Sequence, residues 1–428
     1  MSDLADRRHF LAASAAGTMI ASGFHTSTAT ASSSSPNENL VCGVMGVNGR
    51  GSSLARGFSR QKNVTVSHVC DVDSRAVLKG KSAVQSVTGK VPVGSADFRS
   101  LLDEKSIDIL IVAAPNHWHG PASMLAMQAG KHDYVEKPCS HTPREGELMV
   151  ENSEKYKRVC TMGSQRRSTA GHRAAIKKIH DGEIGKVLYA KCWYANRRGP
   201  IGKGKKVQVP DWLDFELWQG PCTEKPYKDN LVHYNWHWHW HWGNGELGNN
   251  GVHAIDVARW GMQVDYPTRV VSAGGRYRFD DDQETADTHL TSFEFGDRLL
   301  VWEGVSWSPK GNEGTAFGIA FHGDKGSLYL YDNKYEIYDM QRKLVLEEPF
   351  SFSDDPHFDD FLGCIRNGGK PNATIEEAHK STLLCHLGNI AHRSGKAIQT
   401  DPANGRMKNG ELQKFWTKEY RDGWEPTT

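Results

Sequence analysis

The chain has 428 residues, 38% of them hydrophobic and 24% charged, with a formal net charge of +1. That length can bury more than one core, and the near-neutral balance excludes the electrostatic footprint of a nucleic-acid or anionic-membrane binder. No apolar run reaches the roughly 18 residues of a membrane span, and the 8 scattered cysteines, with no C-x-x-C pair, read as reduced and mostly buried thiols.

Residues 1–36 read as an address and a spacer. Arg7-Arg8-His9-Phe10-Leu11 is a twin arginine followed by aliphatic and small residues to Phe24, and Ala29-Thr30-Ala31 offers a small-x-small cleavage site before a Ser-rich stretch. This pattern predicts a Tat signal and a periplasmic protein.

The run Leu40-Val41-Cys42-Gly43-Val44-Met45 is an apolar strand that enters the turn Gly46-Val47-Asn48-Gly49-Arg50-Gly51. A second β-rich run, Val64 to Cys70, ends at Asp71 about 20 residues after the turn. Glycines let backbone amides approach a pyrophosphate at a helix N-terminus, and a carboxylate closing the second strand can hold an adenosine ribose through its hydroxyls. The pairing predicts NAD, since a ribose phosphate would meet a like charge at Asp71. Gly46, Asn48, Gly49, Arg50, Gly51 and Asp71 are therefore the candidate cofactor contacts, with Asn48 standing where the middle glycine of G-x-G-x-x-G is expected.

To about residue 160 the strand and helix signals alternate as in parallel βαβ units. Ile107 to Ala113 and Asp133 to Val135 are further strands, while Ser74–Val84, Asp97–Leu102 and Pro121–Ala129 carry helical spacing. Ala114-Pro115-Asn116-His117-Trp118-His119 follows one strand and Glu136-Lys137-Pro138 the next. Ligands of open parallel sheets lie outside the carboxyl ends of the strands, so Asn116 and Lys137 are expected at the nicotinamide end. The proline holds Lys137 extended.

Gly43–Gly51, Asp71, Ala114-Pro115-Asn116-x-x-His119, Gly130-Lys131-His132 and Glu136-Lys137-Pro138 resemble the successive motifs of the glucose-fructose oxidoreductase, inositol dehydrogenase and MocA (Gfo/Idh/MocA) family. Gly163-Ser164-Gln165-Arg166-Arg167 and the segment from Phe358 to Lys396 are similar to its later segments. The resemblance implies an α/β protein with two domains. Residues 37–160 would form a Rossmann NAD-binding domain, and 161–428 an α/β domain with a large, open, mostly antiparallel sheet for substrate binding and homo-oligomerisation as dimer or tetramer. It also implies that His119, Glu136 and Lys137 belong to the cofactor site and that the C-terminal helices pack near the first domain.

The second catalytic segment is Gly248-Asn249-Asn250-Gly251-Val252-His253, continuing to Trp260. Asn249 and His253 stand four apart, so a helix presents both on one face toward the cleft. Sugar dehydrogenases of the family carry Asp at the place of Asn249. An amide orients a hydroxyl or an imidazole but accepts no proton, so base work falls to His253, with a pKa near neutrality, or to Lys137 if its pKa is depressed.

In Tyr234-Asn235-Trp236-His237-Trp238-His239-Trp240-His241-Trp242 the histidines share one face if the run is a strand and scatter if it is a loop. Three histidines could ligate zinc, but no cysteine or carboxylate stands beside them, so no metal is assigned. Carbohydrate binding fits better. Indoles stack on apolar sugar faces, and Gln165, Arg166, Tyr227, Trp236 and His237 are the candidate substrate contacts, with Trp212 and Trp218 as further members of that wall.

The expected activity is NAD-dependent oxidation of a hydroxyl on a sugar, cyclitol or sugar derivative, with tightly bound, recycled cofactor. The Tat route carries folded proteins, so such a cofactor would be exported already loaded. An alternative is a redox-neutral NAD-dependent glycosidase or lyase working by oxidation and elimination, and a third is a binding protein that keeps NAD structurally. No nucleic acid or membrane partner is expected.

Overall fold

The computed structural model describes residues 39–311 and 314–428. The twin-arginine segment and the spacer lie outside the described residues. The chain opens with β1 (Leu40–Met45), α1 (Arg50–Ser59), β2 (Val64–Cys70), α2 (Ser74–Thr88), β3 (Val93–Ser95) and α3 (Arg99–Asp103). It continues with β4 (Ile109–Val112), α4 (Asn116–Gln128), β5 (His132–Val135), α5 (Pro143–Tyr156) and β6 (Cys160–Met162). All six strands pair in parallel in the order β3-β2-β1-β4-β5-β6. Central β4, sequence Ile-Leu-Ile-Val, is buried at every position, as a strand covered by helices on both faces must be.

Local chemistry sets the helix ends. Asp73 caps α2 by accepting the Arg75 N–H, and Gly89 ends it in the left-handed conformation. Thr142 and Glu145 form a reciprocal capping box on α5. Element ends shift by a few residues from the expected ones, most at α4. α4 begins at Asn116 rather than Pro121, and Pro121 lies inside it; the His117 carbonyl, which loses its N–H partner to the proline, faces Lys418 Nζ at 3.5 Å. β6, at three residues, is too short to show a periodic pattern.

The second half adds α6 (Ala170–His180), β7 (Val187–Ala195), α7 (Phe215–Gln219), α8 (Val252–Met262), β8 (Arg269–Gly275), β9 (Thr288–Phe295) and β10 (Arg298–Val305). Then come β11 (Phe317–Gly323), β12 (Gly326–Leu330), β13 (Lys334–Asp339), β14 (Leu344–Pro349), α9 (Asp355–Asn367), α10 (Ile375–Ser394) and β15 (Ile398–Gln399). The nine strands form a sheet ordered β14-β13-β12-β11-β7-β10-β9-β8-β15, antiparallel throughout except for the β7–β10 pair.

α8 and α10 pack on one face of this sheet, and their apolar side chains share a continuous core with α4 and α5 of the parallel sheet. α9 returns to the first sheet instead, where Phe358 meets Phe58 at a ring separation of 4.4 Å and Phe361 and Leu362 join the same core. That return carries Asp354, the α9 N-cap residue, back to the glycine-rich turn. The eight cysteines are free thiols, all but Cys364 buried, and no helix among the described residues is long and apolar enough to cross a membrane.

Candidate active site

A cavity of about 710 Å³ lies outside the carboxyl ends of β1, β2, β4 and β5, walled on the far side by residues of the second half. Gly46 turns the chain at φ +84°, and a Cβ there would come within 2.6 Å of the Ala114 backbone. Gly51 is equally constrained, since its Cβ would fall 1.8 Å from the Gly46 carbonyl oxygen. Gly49 is different: a Cβ there meets nothing in the protein, although Gly49 lines the cavity and precedes α1, whose first turn holds no acidic residue. The missing side chain thus leaves room for something other than protein at a helix N-terminus suited to an anion.

Asp71 ties this turn to β2. Its Oδ2 accepts the Val47 N–H at 2.8 Å and its Oδ1 the Asp73 N–H at 3.0 Å. Burial raises its pKa above the usual carboxylate range, and the two backbone bonds oppose that rise. Arg50 donates to Glu136 Oε1 at 2.8 Å and to Asp354 Oδ2 at 2.6 Å. Burial alone would raise the Glu136 pKa, but Arg50 and Lys137 outweigh it and hold the carboxyl below its ordinary value.

Glycine turn, helix N-terminus and Asp71 fit a dinucleotide: Gly46, Asn48, Gly49 and Arg50 would face its diphosphate and Asp71 a ribose. Asn116, His119, Glu136 and Lys137 line the same cavity. The His119 ring is fully engaged, with Nδ1 on the Pro138 carbonyl at 2.6 Å and Nε2 on the Ala114 carbonyl at 2.7 Å, so it joins two strand ends rather than reaching a ligand.

Lys137 and Asn249 meet at the centre. Lys137 Nζ donates to Asn249 Oδ1 at 2.8 Å and to the Asn249 carbonyl at 3.1 Å. Burial lowers the Lys137 pKa, opposed by Glu136 and Glu246. Asn249 lies on a π-helical turn, Leu247–Gly251, that runs directly into α8, where His253 stands. Both line the cavity, as their spacing requires, but Asn249 orients the lysine and not the imidazole. The His253 ring makes no hydrogen bond to another described residue. Its pKa is not near neutrality: burial, then the charges of Arg166, Lys137 and Arg50, hold it well below the ordinary histidine value.

The expected substrate contacts divide. Gln165, Arg166, Trp236 and His237 line the cavity, with His237 stacked on Trp236 at 3.6 Å. Tyr227 does not. It is packed edge-on against Phe215 in a separate aromatic core, because the segment carrying it folds on its own apolar residues. Trp212 lies under the Arg75 guanidinium at 3.4 Å, while Trp218 reaches the cavity. Gly51 likewise serves turn packing and is not among the lining residues.

The Trp/His run is a 3-10 turn over Asn235–Trp238 followed by further turns, so its histidines scatter. His237 takes the Tyr234 carbonyl, His241 the Thr223 carbonyl and His239 faces Glu284 at 3.4 Å. Among the described residues no cluster of three or more His, Cys, Asp or Glu is arranged to hold a metal.

Several lining residues carry no local sequence signal. Arg198 binds Glu246 at 2.6 Å and Tyr234 at 2.9 Å beside Tyr194, Asn196 and Asn250. His233 reaches Asp73 Oδ2 at 2.7 Å, and Phe352 and Asp354 arrive from the approach to α9.

Residues 40–164 match the oxidoreductase family's NAD-binding Rossmann fold, and residues 193–425 its C-terminal alpha/beta domain. A glycosyl hydrolase family 109 protein of Saccharopolyspora erythraea is 31% identical over 180 residues, which are 41% of this chain and 39% of that protein. The chain thus spans about two fifths of the length of the curated relatives it matches. A levoglucosan dehydrogenase solved with NADH and levoglucosan superposes with a TM-score of 0.66 at 17% identity, covering 84% of this chain and 99% of the other. An aldose-aldose oxidoreductase from Caulobacter crescentus gives 0.65 at 17% identity with the same coverage. These two likenesses establish the fold. With both halves matched, the chain belongs to the Gfo/Idh/MocA family of NAD-dependent oxidoreductases.

Proposed function

We propose that the protein oxidises a hydroxyl of a sugar, cyclitol or sugar derivative, using NAD that stays bound between turnovers. One observation carries the reading: a half-buried lysine at the end of β5, hydrogen-bonded to a neutral amide, shares one cavity with the glycine turn. Its lowered pKa raises the fraction present as free amine, the form that can take a hydroxyl proton. Asn249 holds that nitrogen in place, and neutral His253 beside it can accept a hydrogen bond from the same or a neighbouring hydroxyl. NAD⁺, when bound, supplies the hydride acceptor. Asp71 favours it over NADP. Tyr234, half-exposed on the cavity wall, offers a face for a sugar ring, and the names of the superposed levoglucosan dehydrogenase and aldose-aldose oxidoreductase support a carbohydrate substrate.

The test is to denature the purified protein, identify the released nucleotide, and then follow reduction of the bound nicotinamide as candidate sugars are added. Recovery of NADP alone, or no reduction by any sugar or cyclitol, overturns the reading.

The similarity to glycosyl hydrolase family 109 proteins favours a second reading, a redox-neutral glycosidase. There the carbon beside the oxidised one would lose a proton to a base, the glycosidic oxygen would leave the next carbon, water would add across the resulting double bond, and the carbonyl would be reduced back to the hydroxyl by the same hydride. Release of the aglycone without accumulating reduced nicotinamide, together with solvent deuterium at the adjacent carbon, would establish this second reading.

Cofactor retention suits export. We propose that Arg7-Arg8 directs the folded, loaded protein through the Tat route to the periplasm, so that replacing both by lysine leaves it in the cytoplasm. Assembly of copies through the nine-stranded sheet, which exposes Leu188 and Leu290, is read from the mass of the particle in solution.

A further inference from the structure

The three carboxylates that line the cavity are all engaged at the cofactor end. Asp71 holds the Val47 and Asp73 amides, and Glu136 and Asp354 both hold Arg50. The opposite wall, near the carboxyl end of β7, presents Arg166 and Arg198 together with His237 and His253, and no carboxylate lines it.

The two arginines are not equivalent. In Arg198 all three nitrogens are engaged, on Glu246, Tyr234 and Tyr194. Arg166 turns only Nε and Nη2 outward, both to the single oxygen Oδ1 of Asp332, at 3.2 and 2.7 Å. Its Nη1 has no hydrogen-bond partner among the described residues. The guanidinium is nonetheless fixed: its side chain is only 12% exposed and lies 4.3 Å from the centre of the Phe317 ring and 5.4 Å from that of Phe352. Phe317 pairs with Tyr194 across β11 and β7, so Arg166 and Arg198 flank one point of the sheet.

A guanidinium held flat by aromatic faces, with a free N–H edge in a cavity, is built to meet a planar anion. One unspent edge suits a carboxylate. A phosphate has more oxygens to satisfy, and this wall offers it no helix N-terminus or glycine turn.

We propose that the substrate is a sugar bearing a carboxylate, a uronic acid or its glycoside, docked with the carboxylate on the Nη1 edge of Arg166. The inference rests on the sugar oxidation proposed above and names its substrate class. A carboxylate placed on that edge gains charge-assisted hydrogen bonds that a neutral sugar hydroxyl cannot match, a difference of about tenfold or more in binding.

The experiment uses the protein with its own bound cofactor and matched pairs: glucuronate against glucose, galacturonate against galactose, their methyl glycosides, and glucose 6-phosphate as a second anion. Nicotinamide reduction and equilibrium dialysis of each sugar are read separately. The expected result is a half-saturating concentration at least about tenfold lower for the uronate of a pair, a preference abolished by Arg166→Gln and partly restored by Arg166→Lys.

Equal use of neutral and acidic partners, preference for the phosphate, or equal damage to both by Arg166→Gln overturns the inference while sugar oxidation stands. Uronates that bind by dialysis with the Arg166 dependence but never reduce the cofactor leave the carboxylate site standing and overturn the oxidation. Neither binding nor reduction overturns both.

Discussion

Lys137 Nζ lies 2.8 Å from Asn249 Oδ1, so the amine that faces the cavity is held by an amide and has no carboxylate bonded to it. A neutral acceptor steers the lysine while stabilising its charged form less than a carboxylate would, and burial lowers the pKa. The same atoms with a carboxylate in place of the amide would hold an ammonium. This relationship sets the first prediction.

Asn249→Asp should keep the hydrogen bond and raise the Lys137 pKa, because a neighbouring negative charge favours the protonated amine. A base is active when deprotonated, so the acidic limb of the rate profile should move to higher pH. Lys137→Ala should slow hydride transfer by on the order of 10² while the bound nucleotide remains. Single-turnover rates across pH check both. A limb that stays in place in Asn249→Asp removes Lys137 from the role of base.

His253 should remain a neutral imidazole across the working range. Its pKa lies well below the ordinary value because burial and the cations Arg166, Lys137 and Arg50 all disfavour a further positive charge. Ring-carbon chemical shifts recorded by NMR between pH 5 and 8 should therefore be flat for His253, and Arg166→Gln should let the pKa rise. A titration midpoint near 6.5 in the unaltered protein would contradict the electrostatic account.

The parts of this site that were legible in the sequence are those whose chemistry is local. Gly46, Asp71 and Lys137 each stand at a strand end marked by an apolar run, and the alternation of such runs is what orders the parallel sheet. Arg198 and Glu246 meet across 48 residues through a segment with no period, and Asp354 reaches Arg50 only because Phe358 and Phe361 draw α9 onto the first sheet. Tyr227 lies outside the cavity for a related reason. An aromatic-rich segment serves a core as readily as a sugar, and only tertiary packing separates the two. His253 lines the cavity, as its spacing from Asn249 implies, but its pKa depends on Arg166, 87 positions earlier in the chain, which no local pattern reveals.

The glycines of the turn should separate fold from binding. Gly46→Ala meets both a positive φ and backbone atoms closer than 3 Å, so its thermal midpoint should drop clearly. Gly49→Ala meets nothing in the protein, so the stability of the nucleotide-free form should stay within about 0.5 kcal/mol of the parent. Retained NAD should fall instead, because the added methyl occupies the space beside the helix N-terminus. If Gly49→Ala keeps its full complement of nucleotide, the diphosphate does not approach at that position.

Asp133 offers a test of the fold that is independent of the active site. It is fully buried on β5, with Oδ1 unpartnered and Oδ2 receiving only the Cys160 thiol at 3.4 Å, and burial pushes its carboxyl up to about 7. Between the unfolded value of 3.8 and that folded value the native state binds the proton and the unfolded state does not. The folded protein therefore loses stability as pH rises through this window, and the loss is complete above it. Asp133→Asn removes the ionisation and can place its amide toward the unpartnered Ser123 hydroxyl nearby. The variant should match the parent near pH 4 and exceed it at pH 8 by up to about 4 kcal/mol, roughly three pH units at 1.36 kcal/mol each. Urea unfolding at the two pH values measures this directly. An equal difference between variant and parent at both would show that the Asp133 carboxyl ionises in the folded protein as it does in the unfolded chain.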